Sequence, residues 1–201
     1  MHKCGLASSA NFWVMLLGLA ACGDDGGSAI GDAPPGGGSG DAAPIVGEPA
    51  NLMGITAAHN QVRAMVQTAT PLPALTWSPA LAATAAAWVA QCKDTDAPTG
   101  LVDHNAGRST GHPYYVGENI FASSGMASGQ QAVTSWAAEG ANYTYATNAC
   151  AAGKTCGHYT QVVWRDTREI GCALGDCPSL QFKSTIVCDY GPGGNSGGKP
   201  Y

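Results

Sequence analysis

Charge is what this chain has least of. Asp, Glu, Lys and Arg make up 11% of its 201 residues, and they balance to −5. No basic patch breaks that scarcity, which excludes nucleic acid from the expected partners, because phosphate binding needs clustered Lys and Arg. The acids Asp24, Asp25, Asp32 and Asp41 fall in a polar N-terminal segment, and from Glu48 onward ten acids stand against eight bases. Internal repeats are missing. No Cys-x-x-Cys pair occurs, so a thiolate zinc site is not expected. Nor is there a nucleophile elbow of the kind that exposes a catalytic serine. The apolar run Phe12 to Ala21 is too short to span a bilayer.

That run follows Lys3 and ends Leu19-Ala20-Ala21-Cys22, a short positive start, an apolar stretch and small residues before a cysteine. Residues 1–21 read as a signal peptide of lipoprotein type, with Cys22 as the lipidated first residue of the mature chain. An ordinary secretory signal cut nearby is the alternative, and both readings export the protein. Residues 22–47 are rich in Gly, Asp, Ser and Pro without one aromatic, so they cannot bury enough apolar surface to offset their ordering entropy. They are expected to form a disordered tether with a reach of about 25–30 Å, lifting the folded domain of residues 48–201 clear of a membrane that the lipid would anchor.

With Cys4 in the signal and Cys22 lipidated, six cysteines remain: Cys92, Cys150, Cys156, Cys172, Cys177 and Cys188. An even number in an exported domain implies three disulfides, although spacing alone permits fifteen pairings. Leu52, Ile55, His59, Val62 and Val66 recur at helical spacing, which predicts a helix over 51–67. His59 on that stripe reads as a buried histidine with satisfied hydrogen bonds. Pro71 and Pro73 end the helix. Ser78-Pro79 opens a second, with Leu81, Ala85, Trp88 and Cys92 on its buried face. Residues 94–115 form a long Gly- and Pro-punctuated loop carrying His104 and His112. A third helix over 129–142 places Trp136, Glu139 and Tyr143 along one side, where the carboxylate needs a partner.

After Cys156 the apolar period becomes two. His158, Thr160, Val162 and Trp164 would share one face of a strand and Tyr159, Gln161, Val163 and Arg165 the other. Residues 159–165, 169–174 and 180–189 thus read as three strands, with turns at Asp166-Thr167 and near residues 176–179. Helices first and strands last indicate an α+β fold with an antiparallel meander.

Gly157-His158-Tyr159-Thr160-Gln161-Val162-Val163-Trp164, followed by Arg165-Asp166-Thr167, resembles the principal signature of the CAP superfamily. That superfamily holds the cysteine-rich secretory proteins, antigen 5 and the plant pathogenesis-related proteins of group one. His59-Asn60-Gln61-Val62-Arg63 is similar to its first-helix motif, and Gly117-Glu118-Asn119-Ile120 to its central one. Cys188, Tyr190, Pro192, Gly194 and Asn195 fit the second signature, from which Asp189 and Ser196 depart. The segment from Asn142 to Ala173 most resembles the plant branch.

The resemblance implies an α-β-α sandwich around a three-stranded or larger antiparallel sheet, stapled by Cys92–Cys177, Cys150–Cys156 and Cys172–Cys188. It also implies a cleft lined by His104, Glu118, Glu139 and His158, with His112 competing for the place of His104. Two imidazoles and two carboxylates can hold zinc or another divalent cation, perform acid–base work, or tie loop, helix and sheet together as a polar network. Thr160 and Ser135 do not stand out as nucleophiles. Family members in plants and fungi are associated with sterol and lipid binding, so the expected function is a non-enzymatic extracellular binding module for a sterol or other apolar molecule. A metal-dependent extracellular hydrolase or protease-like enzyme is the alternative, and an interaction domain displayed on a tether a third reading.

Overall fold

The computed structural model of the protein describes residues 47–201. The expected signal peptide, Cys22 and all but the last residue of the tether lie outside the described residues. Helix α1 (Ile55–Met65) follows a single 3-10 turn at Ala50–Leu52. Its exposed N–H groups are met by Glu48, whose carboxylate accepts from the backbone of Gly54 at 2.6 Å and Thr56 at 2.8 Å. Then come β1 (Thr76–Trp77), α2 (Pro79–Val89), β2 (Gly117–Ser123) and α3 (Gly129–Ala138), which Ser128 and Gln131 start with a reciprocal capping box. A 3-10 turn at Glu139–Asn142 extends α3 and leads into the two-stranded ribbon β3 (Tyr143–Thr144) and β4 (Ala149–Cys150). Helix α4 (Gly157–Val162), β5 (Glu169–Asp176) and β6 (Ser184–Gly191) complete the chain.

The main sheet has four strands in the order β1-β5-β6-β2. Strands β5, β6 and β2 are antiparallel, and the two residues of β1 run parallel to β5 at the far edge. Strand alternation divides the sheet's side chains between two cores. Ile170, Cys172, Ile186, Cys188 and Tyr190 join α1, α3 and α4 on one face. Ala173, Val187 and Ile120 join Ala85 and Val89 of α2 on the other. The result is an α+β fold with helices on both faces of a central sheet. At Gly171 the backbone of α2 sits so close that a β-carbon would collide with the amide of Ala82, which explains glycine there.

The disulfides are Cys92–Cys177, Cys150–Cys156 and Cys172–Cys188. The first ties the end of α2 to the end of β5, and the third is a cross-strand bridge in register between β5 and β6.

Two expectations need correction. Residues 157–162 are helical, not a strand, with Thr160 N–H bonded to Cys156 O at 3.0 Å and Val163 N–H to Tyr159 O at 3.1 Å. The alternation misled because everything from Thr160 to Trp164 is buried, so no solvent face exists to distinguish period two from helix. In the sheet β2 pairs with β6 and β1 with β5, and residues 157–162 pair with no strand. Accordingly the third antiparallel strand is β2, carrying the Gly-Glu-Asn-Ile motif, and the last strand begins at Ser184 rather than near 180.

Arg63 explains how the helical segment is held. It is buried, with Nε donating to Pro73 O at 2.9 Å and Nη1 to Val162 O and Trp164 O at 2.8 and 2.9 Å. Burial lowers its pKa to about 10. The guanidinium thus satisfies carbonyls that the end of α4 leaves open. His59 is fully buried, with Nδ1 2.7 Å from Ile55 O and Nε2 2.8 Å from the Tyr190 hydroxyl. Removal from water lowers its pKa to about 4, so it is neutral at physiological pH.

Candidate functional site

Strand β2 is an edge strand, and the two histidine–glutamate pairs are built from the layers on either side of it. From the long loop, His104 Nδ1 lies 2.6 Å from Oε1 of Glu118, which also accepts the backbone N–H of Asn105 at 2.9 Å. From α4, His158 Nδ1 lies 2.6 Å from Oε1 of Glu139. The other oxygen of Glu139 accepts the backbone N–H groups of His158 and Tyr159 at 3.0 and 3.2 Å. Glu139 therefore caps the start of α4 and orients its histidine at once. Although burial pushes the Glu139 carboxyl up, the hydrogen bond and charge of His158 and these N–H groups outweigh it and lower its pKa.

Packing fixes the pairs further. The ring of Trp136 stacks on His158 at 6.3 Å and 20°, and its indole N–H donates to Ile120 O at 3.3 Å. Asn119 points to the opposite face of β2 from Glu118 and donates to His158 O at 3.1 Å. Gly117 is required by Gln161, whose side-chain oxygen occupies the space a β-carbon would need. The motif Gly-Glu-Asn-Ile thus has a packing reason at each position.

His104 and His158 line one cavity of about 350 Å³, walled by Ala97, Pro98, Leu101, Val102 and Ile120, with Asp96 and Asp103. No Ser, Thr or Cys lines it. A carboxylate only accepts, so each Nδ1 carries the hydrogen and Nε2 is the nitrogen left for a ligand. One oxygen of each glutamate, Oε1, is engaged by Nδ1. Among the described residues no three His, Cys, Asp or Glu side chains stand together as a metal site. The two imidazoles thus keep one ring nitrogen each, with the carboxylates behind them. His112 is elsewhere, with Nε2 3.0 Å from the Thr84 hydroxyl on α2 and its ring stacked on Tyr114.

One site residue had no role in the sequence reading. Asp189 lies directly across from Glu118 in the β2–β6 register. Asp189 is completely buried, and neither of its oxygens nor Oε2 of Glu118 has a hydrogen-bond partner. Burial first, and then the Glu118 charge, push the Asp189 carboxyl up to about 8. At neutral pH it keeps its proton, which can satisfy the free oxygen of Glu118. The signal was its departure from the second signature, but only the register reveals what it faces.

A family model described as the cysteine-rich secretory protein family matches residues 56–190. The chain belongs to this CAP family. Pathogenesis-related protein PRMS of Zea mays is 54% identical over 95 residues, covering 46% of this chain and 55% of that one. Glioma pathogenesis-related protein 1 of Mus musculus is 37% identical over 148 residues, covering 71% and 53%. The chain thus spans about half the length of these curated relatives. Among solved structures, venom allergen-like protein 4 of Schistosoma mansoni superposes with a TM-score of 0.54 at 29% identity, covering 73% of this chain and 90% of that one. The crystal structure of NaASP2 with Zn2+ gives 0.52 at 25% identity, covering 73% and 81%. The three disulfides of this CAP domain fit an extracellular protein.

Proposed function

We propose that this CAP protein is an extracellular binding module whose His104 and His158 hold a divalent cation, zinc being the first choice, at the mouth of an apolar cavity. The observation that carries the reading is that both imidazoles line one cavity while each has its Nδ1 tied to a glutamate. Such carboxylate–imidazole pairs fix the tautomer and raise the basicity of the coordinating nitrogen. The similarity to NaASP2, whose crystal structure is described with Zn2+, supports the choice of ion. The aliphatic wall from Ala97 to Val102 favours an apolar molecule, a sterol or other lipid, as the ligand beside it. Two protein ligands leave coordination positions open, so a metal-dependent hydrolase is the second reading. The lipidated Cys22 and the tether belong to the same proposal, as the means of holding the module at a membrane surface.

Calorimetric titration with zinc at neutral pH tests the site. Binding is expected in the wild type, lost in His104→Ala and His158→Ala, and weakened as pH falls through the imidazole range. Absence of zinc binding, or its survival in both variants, refutes the metal site. Mass spectrometry of small molecules retained by the purified protein tests the apolar ligand. Zinc-dependent turnover of a model ester or peptide would replace the binding module by the hydrolase.

A further inference from the structure

Every polar side chain lining the cavity of His104 and His158 is an acceptor. These side chains are the two imidazoles, Asp96 and Asp103. Each imidazole gives its Nδ1 hydrogen to a glutamate, and a carboxylate only accepts. The rest of the wall, Ala97, Pro98, Leu101, Val102 and Ile120, has no polar side-chain atom at all.

Three of these acceptors are unengaged. Nε2 of His104, Nε2 of His158 and the carboxylate of Asp96 have no hydrogen-bond or ion-pair partner among the described residues. Asp103, by contrast, is spent within its own loop. Its Oδ2 accepts the N–H and the hydroxyl of Thr95, both at 2.8 Å, and its Oδ1 accepts the N–H of Asp96 at 3.1 Å. The last bond ties the backbone of Asp96 into the wall and leaves its side chain free, so part of the ordering cost of binding is met before a ligand arrives.

Carboxylates also surround the cavity. Asp96 and Asp103 line it, and Glu118 and Glu139 stand directly behind its imidazoles. Apart from those imidazoles, the only base paired with any of the four among the described residues is Lys93, with Nζ 3.9 Å from Asp103 Oδ2. The space, about 350 Å³, is near the lower end of the roughly 300–1,000 Å³ usual for ligand pockets and suits one slender chain.

We propose that this cavity binds a primary alkylamine in its protonated form. The inference rests on the reading of the cavity as a binding site and names the head group that it selects. The alkyl chain lies along the aliphatic wall, and the ammonium brings three N–H donors to three free acceptors, one of them charged. An alcohol brings one donor and no charge. A carboxylate brings no donor at neutral pH and is repelled by Asp96 and the glutamates. The two Nε2 atoms are the ones offered to the divalent cation as well, so amine and ion exclude each other.

The full chain, freed of metal by chelation, is titrated with n-octylamine, 1-octanol, octyltrimethylammonium and octanoate below their micelle concentrations, following amide and imidazole chemical shifts. The expected result is saturable binding of octylamine that moves the His104 and His158 ring signals. It should be at least about tenfold tighter than octanol or the trimethyl compound, which lacks N–H donors, and octanoate should not bind. Asp96→Asn should weaken octylamine by about tenfold, to the level of octanol, with the melting temperature preserved because the Asp96 side chain makes no bond. Bound zinc should displace the amine. No saturable binding of octylamine, binding of any comparator as tight or tighter, full binding by Asp96→Asn, unmoved imidazole signals, or amine retained beside bound zinc would each overturn the proposal. A protein that binds zinc but refuses octylamine defeats the amine and leaves the metal site standing; one that binds octylamine but refuses zinc does the reverse.

Discussion

Replacing Asp189 by Asn should stabilise the protein at mildly alkaline pH and change the shape of its stability profile. Asp189 is fully buried opposite Glu118, and its pKa rises from 3.8 to about 8. Between those values the native state holds the proton and the unfolded chain does not. Stability must then fall as pH rises, by about 1.4 kcal/mol per pH unit. Carried to pH 7, the cost is on the order of 4 kcal/mol. His59 acts with the opposite sign, because burial lowers its pKa from 6.5 to about 4. The unfolded chain binds that proton more readily, so the His59 contribution rises with pH across the same lower window. In the wild type the two slopes cancel up to the ordinary histidine range. Beyond it Asp189 acts alone, and stability should drop by roughly 2 kcal/mol on the way to pH 8. The amide introduced by the substitution keeps a donor for Glu118 and has no charge to bury. Asp189→Asn should therefore climb with pH through the histidine range and then stay level. Urea unfolding followed by tryptophan fluorescence at several pH values measures both profiles. If variant and wild type differ by a constant amount from about pH 5 to about pH 8, the protonated Asp189 is refuted.

Two further outcomes follow from the chain's covalent features. Loop-closure entropy scales with the sequence separations of 85, 16 and 6 residues for Cys92–Cys177, Cys172–Cys188 and Cys150–Cys156. Removing each bridge should cost roughly 4.5, 3 and 2 kcal/mol respectively. Chemical denaturation of the paired alanine variants checks the order, and a Cys150/Cys156 variant as unstable as Cys172/Cys188 would contradict it. For the expected lipid anchor, Cys22→Ser should move the protein from the membrane to the soluble fraction. A wild-type N-terminus found without lipid by mass spectrometry would rule it out.

Much of the arrangement was legible because local chemistry and packing agree. His59 on an apolar helical stripe could only be tolerated neutral and hydrogen-bonded, and Tyr190 and Ile55 meet that requirement. Ser78-Pro79 and Ser128 start helices where their backbone preferences favour them, although the Ser78 side chain makes no capping bond. Glu139 on a face with Trp136 had to find a partner, and His158 is there.

What the sequence alone could not decide were matters of register and of competing periodicities. Segment 157–164 has strand-like composition, yet its residues 157–162 fold as a helix, whose end Arg63 holds by collecting the carbonyls of Val162 and Trp164. That Glu118 faces Asp189, and that His104 rather than His112 meets Glu118, depends on the pairing of β2 with β6 and on the path of a long loop. Composition and spacing determine which residues need partners; only the tertiary structure chooses among partners far apart in the chain, because that choice is made by burial and sheet register.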